Sequence, residues 1–180
     1  MKKLFFSLIS ILLISVTQAQ FRSASLTASG LTCAMCTKAI NNSLDRLSFI
    51  ESVSPDIKNS AFNIVFRKDA AVDPDLLRKA VEDAGFSVST LKLKAQFNNV
   101  LLKKDSHITL GGKNYHFVNV TPQTLNGEKV ITMIDKNFLS AKQFKKFAAT
   151  TSLSCIQTGK VASCCPVPGG ISSRLYHVTI

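Results

Sequence analysis

Ser29-Gly30-Leu31-Thr32-Cys33-Ala34-Met35-Cys36 joins two different periodicities, and its reading decides the fold of the first half of the chain. Before it, Phe21 to Ser29 alternates, with Ala24, Leu26 and Ala28 set against Ser23, Ser25, Thr27 and Ser29. A period of two over this length predicts a strand. After it, from about Cys36 to Leu47, the residues Ala39, Ile40, Leu44 and Leu47 recur at helical spacing, with Asp45 and Arg46 on the other side. Gly30 breaks the first pattern, so the C-x-x-C lies at a strand-to-helix turn. There it has three readings: a soft-metal site, a redox disulfide or a structural disulfide.

The pattern continues outward. Phe49 to Ile57 reads as a second strand, Lys58-Asn59-Ser60 as a turn, and Ala61 to Arg67 as a third strand with Phe62, Ile64 and Phe66 on one face. Asp73-Pro74 caps and starts a helix whose stripe is Leu76, Leu77, Ala80, Val81 and Ala84, and Gly85 stops it. Phe86 to Leu93 closes the unit as a strand. The order β-α-β-β-α-β over about 70 residues is the ferredoxin-like arrangement, so an α+β fold is expected.

These motifs resemble the heavy-metal-associated domain, the family of copper chaperones and of the periplasmic mercury-binding protein. The family carries G-M-T-C-x-x-C in this loop and E-D-A-G-[YF] at the end of the second helix. Here the two read Gly30-Leu31-Thr32-Cys33-Ala34-Met35-Cys36 and Glu82-Asp83-Ala84-Gly85-Phe86. The resemblance covers about residues 22–93, and its one departure is Leu31 in place of Met. It implies metal binding by Cys33 and Cys36, with Phe86 packed beneath the loop. The chemistry agrees. Soft ions prefer thiolates, and a helix N-terminus favours the thiolate of Cys36. Without an acidic or His residue in the loop, Mg(II) and Ca(II) are poor candidates. Cu(I) is the expected ion, with Hg(II), Zn(II), Ag(I) and Cd(II) as alternatives. The Met35 thioether is a further soft donor beside the loop, and exposure without ligation is its plainer reading.

From residue 95 the texture changes. Short strand-like runs appear at 97–103, 107–110, 115–120, 129–134 and 175–180. Gly111-Gly112, Thr121-Pro122 and Asn126-Gly127 read as the turns between them, and Ser140 caps a helix to about Ala148. This predicts a small β-rich unit, a partly closed barrel or a roll. Three domains or segments are therefore expected: residues 1–19, 20–94 and 95–180. Tyr115-His116 and Tyr176-His177 lie in two similar strands, a match too short to define a repeat.

The N-terminus has a basic start (Lys2, Lys3), an apolar run from Leu4 to Val16 and a small residue at Ala19. That pattern predicts a secretory signal peptide cleaved after Ala19. The run is shorter than the roughly 20 residues of a membrane span. Export to the periplasm or outside the cell follows as an expectation. It brings an oxidising compartment, in which five cysteines cannot all pair within one chain. Cys155 with Cys164 or Cys165 would close a disulfide loop. The alternative is a second soft-metal site completed by His177 or His116. His107 reads as a surface residue.

Charge is uneven. Residues 20–93 hold nine Lys/Arg and eight Asp/Glu, whereas residues 94–180 hold eleven and three. A basic second half suits an acidic partner or an anionic membrane surface, while export argues against nucleic acid. Lys142, Lys145 and Lys146 are the first candidates for such a contact, and a solvated face is the plain alternative. No catalytic triad, carboxylate pair or phosphate loop is present, so an enzyme is not expected. The reading is an exported carrier or scavenger of a heavy-metal ion, handing it to a thiol-bearing transporter or another envelope protein. A thiol-disulfide redox protein and an envelope adaptor are the rivals.

Overall fold

The computed structural model describes residues 20–180 apart from Thr32, Cys164, Pro166, Pro168, Gly169, Ile171 and Ser172. The expected signal peptide lies outside the described residues. Strand β1 (Phe21–Ser29) buries Phe21, Ala24, Leu26 and Ala28. Helix α1 (Ala34–Asp45) buries Ile40 and Leu44, one turn apart. It starts two residues earlier than its apolar stripe suggests, because the cap is Cys33 itself.

Strand β2 (Ile50–Asp56) and β3 (Ala61–Phe66) pair antiparallel. β2 lies at the sheet edge, the position in a sheet where a proline such as Pro55 is tolerated. Helix α2 (Pro74–Asp83) is capped by the Asp73 side chain, which accepts from the Asp75 N–H at 2.9 Å. The helix buries Leu77, Ala80 and Val81. These elements and the start of β4 give the β-α-β-β-α-β order expected from the sequence.

β4 (Ser87–Leu102) is longer than expected. Its alternation runs on in one phase through Leu91, Leu93, Ala95 and Phe97, all buried, with Lys92, Lys94 and Gln96 exposed between them. The expected boundary near residue 94 falls inside this strand. One edge of β4 pairs with β1, and the other takes β7 (Gln123–Met133). Strand β5 (His107–Leu110), β6 (Lys113–Phe117) and β8 (Leu175–Thr179) complete the sheet. Among the described residues it has eight strands in the order β2-β3-β1-β4-β7-β8-β6-β5.

The sheet is open, with β2 and β5 at its edges, and is not the partly closed barrel or roll expected for the second half. The physical reason is the exposed edge of β4. An unpaired edge recruits a strand, and β7 extends the existing sheet instead of starting a second one. One cluster of buried side chains accordingly runs from Phe21 through Leu93 and Phe97 to Tyr176 and Val178.

Gly111-Gly112 makes the expected tight turn. Both glycines have positive φ (54° and 76°), which the two-residue β5–β6 hairpin requires. Asn126-Gly127 does not make a turn. It lies inside β7, where Phe97 pairs with Gly127 and Val100 with Leu125. Two residues of β4 oppose one of β7 there, which is a bulge. Asn99 (φ 48°) and Gly127 (φ 73°) supply the left-handed conformations that also suit a turn.

Helix α3 (Ala141–Ala148) is closed by a capping box between Ser140 and Gln143 and packs through Phe144. A Ser140→Ala change should cost about 1 kcal/mol and lower the melting temperature by about 2–4 °C, which calorimetry would check. The short helix α4 (Cys155–Thr158) follows. None of the helices is long and apolar enough to cross a membrane, among the described residues.

The C-terminal half grips the start of α2. Lys113 Nζ donates to Asp73 at 2.9 Å, the Tyr176 hydroxyl to Asp73 at 3.1 Å, and Arg174 Nε to Asp75 at 2.8 Å. Arg174 also reaches buried Asp135 at 3.1 Å and lies 4.1 Å over the Tyr176 ring.

Candidate metal centre

The C-x-x-C is built by a turn and a cap. Gly30 (φ +83°) turns the chain out of β1. Leu31 then packs partly buried against the core. Cys33 is extended (φ −146°, ψ 156°), and its Sγ accepts from the Cys36 N–H at 3.2 Å. A sulfur in the N-cap position sees the positive end of the α1 dipole. The first turn of α1 carries no acidic side chain to compensate it. Both effects would favour a thiolate here once the pair is reduced.

Cys33 and Cys36 are joined by a disulfide, with their Cα atoms 5.3 Å apart. The site therefore has an oxidised, closed form, and two-electron reduction yields two sulfur donors on one exposed turn. Cys33 and Ala34 are exposed, Cys36 is half-buried, and Met35 is 75% exposed. An open groove of about 210 Å³ flanks Cys33, lined by Leu31, Thr37, Ile57 and Phe62 among others.

The second motif supports the first from below. At the end of α2 the Gly85 N–H donates to the Glu82 carbonyl at 2.8 Å and the Phe86 N–H to the Val81 carbonyl at 3.1 Å. With Gly85 at φ +88°, this is a Schellman closure. It throws Phe86 under the C-x-x-C loop. The Phe86 ring would lie 3.9 Å from a Cβ placed on Gly30, so the two motifs meet in space.

A second group of chemically active side chains surrounds the β6–β8 pair. These strands run parallel in a register that sets Tyr115 beside Tyr176 and His116 beside His177. The repeated Tyr-His dipeptide was the sequence signal for this contact. The tyrosine rings stack at 5.3 Å and the His116 and His177 rings meet edge-on at 5.2 Å. His107 is not a surface residue. β5 pairs it with His116, and the two rings stack at 4.4 Å with only 6° between their planes.

His116 Nε2 donates to Asp105 at 3.1 Å, and its Nδ1 lies 3.6 Å from the Sγ of buried Cys155. His177 Nδ1 donates to Asp135 at 2.7 Å. Cys155 and Cys165 are both buried, in a small cluster with Val161 and Leu175. Cys164 lies outside the described residues. Lys142, Lys145 and Lys146 are all exposed on α3.

Burial pushes His116 down to about 4, His107 and His177 reinforce the shift, and Asp105 opposes it. Burial also lowers His107, against the hydrogen bond that its ring donates to the Asp105 backbone carbonyl. An unfolded histidine titrates near 6.5. The unfolded chain therefore binds more protons than the folded one below that pH. The stability contributed by neutral His116 is full above about pH 6.5 and is lost as the pH falls through about 4. Thermal unfolding from pH 7 to pH 4 should show a falling midpoint, with a shallower fall in His116→Phe.

The sequence pattern of the heavy-metal-associated domain matches residues 25–87. Among solved structures the chain is similar to the CopZ metallochaperone, at 23% identity over 37% of this chain and 97% of that one, with a TM-score of 0.34. It is similar to oxidized MerP from Ralstonia metallidurans CH34, at 23% identity over 38% of this chain and 94% of that one (TM-score 0.35). It is also similar to the yeast copper transporter domain Ccc2a, solved in apo and Cu(I)-loaded states, at 26% identity over 36% of this chain and 88% of that one (TM-score 0.33). No curated protein matches the sequence.

Proposed function

Because residues 25–87 match the pattern of the heavy-metal-associated domain, we propose that the chain is a Cu(I) carrier or scavenger working outside the cytoplasm, with Cys33 and Cys36 as the ligands. The observation that carries this reading is the pair of sulfurs at the start of α1, exposed Cys33 as the helix cap and half-buried Cys36 in the first turn. The donors fit the cargo: two thiolates and no carboxylate in the loop suit a soft monovalent ion.

The disulfide must be opened first. A dithiol donor supplies two electrons and two protons and is itself oxidised to a disulfide. Binding of Cu(I) then releases the protons from the two thiols. Transfer proceeds by stepwise exchange: an acceptor thiolate adds as a third ligand, and one of the two cysteines leaves. Exposure of Cys33 and Met35 leaves room for such an acceptor, which is a thiol-bearing transporter or another envelope protein. The basic second half is available to an acidic partner or an anionic membrane surface.

The test is competition for Cu(I) between the reduced chain and a chromophoric chelator, followed by mixing with a dithiol acceptor. One tightly held equivalent that moves to the acceptor supports the carrier. A rival has one observation in its favour, the disulfide itself. A thiol-disulfide enzyme would reduce insulin catalytically and would hold no Cu(I) against the chelator. That pair of results would replace the carrier reading.

A further inference from the structure

The histidines around β5, β6 and β8 are not used by the Cys33/Cys36 site, and their arrangement is that of a ligand set. One donor atom each from His107, His116 and Cys155 lie within 4.8 Å of one another. A shared ion needs donors about 3.3–3.5 Å apart, so binding turns the His107 ring out of its parallel stack on His116 and draws the three together. We propose that His107 Nε2, His116 Nδ1 and the Cys155 thiolate form a second metal site, specific for a borderline divalent ion of the Zn(II) type.

Four observations carry it. The Cys155 Sγ to His116 Nδ1 distance is 3.6 Å. Zinc bonds of about 2.3 Å to sulfur and about 2.0 Å to nitrogen, at a tetrahedral angle, place the two donors about 3.5 Å apart. Second, His116 gives its other ring nitrogen to Asp105 at 3.1 Å. That carboxylate–histidine pair fixes the tautomer, leaves the Nδ1 lone pair facing the sulfur, and raises its basicity, as in established zinc sites.

Third, His107 Nε2 is buried with no hydrogen-bond partner. The same ring donates to the Asp105 backbone carbonyl, so the orphaned nitrogen is the one left to bind. An unsatisfied buried polar atom calls for an explanation such as an ion. Fourth, His177 Nε2 is also buried and unpartnered, its ring 5.2 Å from that of His116 and its other nitrogen held by Asp135. It stands beside His116 as the candidate fourth ligand. Two imidazoles and one thiolate suit a borderline divalent ion better than Cu(I), which favours the all-sulfur site at α1. Burial of His116 and Cys155 (both 0% exposed) makes this site structural, unlike the exposed loop.

The experiment uses the full chain, without a polyhistidine tag, carrying Cys33→Ser and Cys36→Ser to silence the first site. After reduction it is titrated with Co(II) and then Zn(II). The expected result is one equivalent of Co(II) with tetrahedral d–d bands and a sulfur-to-cobalt charge-transfer band, all erased by Zn(II). His107→Gln should weaken binding by at least about tenfold, the lower end for a perturbed metal site. Cys155→Ala should abolish the charge-transfer band. Circular dichroism identifies any variant that fails to fold, and His107, only half-buried, supplies the substitution best tolerated. Absence of stoichiometric Co(II) uptake, or uptake unchanged by both His107→Gln and Cys155→Ala, would overturn the site. Because the first site is silenced throughout, neither result depends on the Cu(I) reading.

Discussion

Replacing Cys36 with serine should weaken Cu(I) binding at the α1 loop by at least about a hundred-fold, or about 2.8 kcal/mol. Loss of a residue that merely supports a ligand already costs about 10–100-fold. On the proposed reading Cys36 supplies one of two donors, and a serine hydroxyl is a hard, protonated substitute for a soft thiolate. Cys33→Ser should match it, because it removes the other sulfur donor while serine takes over the helix cap that accepts from the Cys36 N–H. Serine caps helices well, so both variants should keep their circular dichroism. Met35→Leu should leave the affinity within about threefold, since an exposed thioether adds little to a dithiolate site. Competition titration against a chromophoric chelator reads all three. If Cys36→Ser binds as tightly as the parent, the ligands are elsewhere, and a matching loss in Met35→Leu would add Met35 to the set.

The second large effect is on folding. Phe97 is 1% exposed and lies on β4 beyond the ferredoxin-like unit, in the cluster shared by both halves. Phe97→Ala should cost about 3–5 kcal/mol, a large share of the roughly 5–15 kcal/mol of a whole domain. The melting temperature should fall by about 10 °C. The form of the transition matters more than its size. The protein has no Trp, and tyrosine emission comes from Tyr115 and Tyr176, both in the second half. Far-ultraviolet dichroism also reports α1 and α2 in the first. Coincident, equally displaced transitions by the two signals mean that the eight strands unfold as one unit. Two separated transitions, with only the tyrosine signal displaced, would show that the halves are independent domains.

Much of the metal loop was legible before the structure. Gly30, the C-x-x-C and the strand-to-helix switch are local signals, each set by the conformational preferences of a few neighbouring residues. The Schellman closure was equally legible, since Gly85 after an apolar helical stripe predicts it. Whether Cys33 and Cys36 were bonded or apart was not legible, because a thiol pair and a disulfide share one spacing.

The second half was read less well for a reason visible at Asn126-Gly127. The same left-handed backbone preference serves a hairpin turn and a bulge, and only the partner strand distinguishes them. His107, His116 and Cys155 are up to 48 residues apart in the chain. Nothing local to any of them announces the others, and His107 taken alone looked like surface.

Residue patterns alone were enough for the β-α-β-β-α-β order, the caps, and the nomination of Cys33 and Cys36, because each depends on contacts within a turn or two of the chain. Packing settled the rest. It extended β4 into one open sheet, laid β6 parallel to β8, and brought His107 and His116 beside Cys155. Strand pairing joins backbone groups that all residues share, so a sequence can show that an edge is available without showing which strand will fill it.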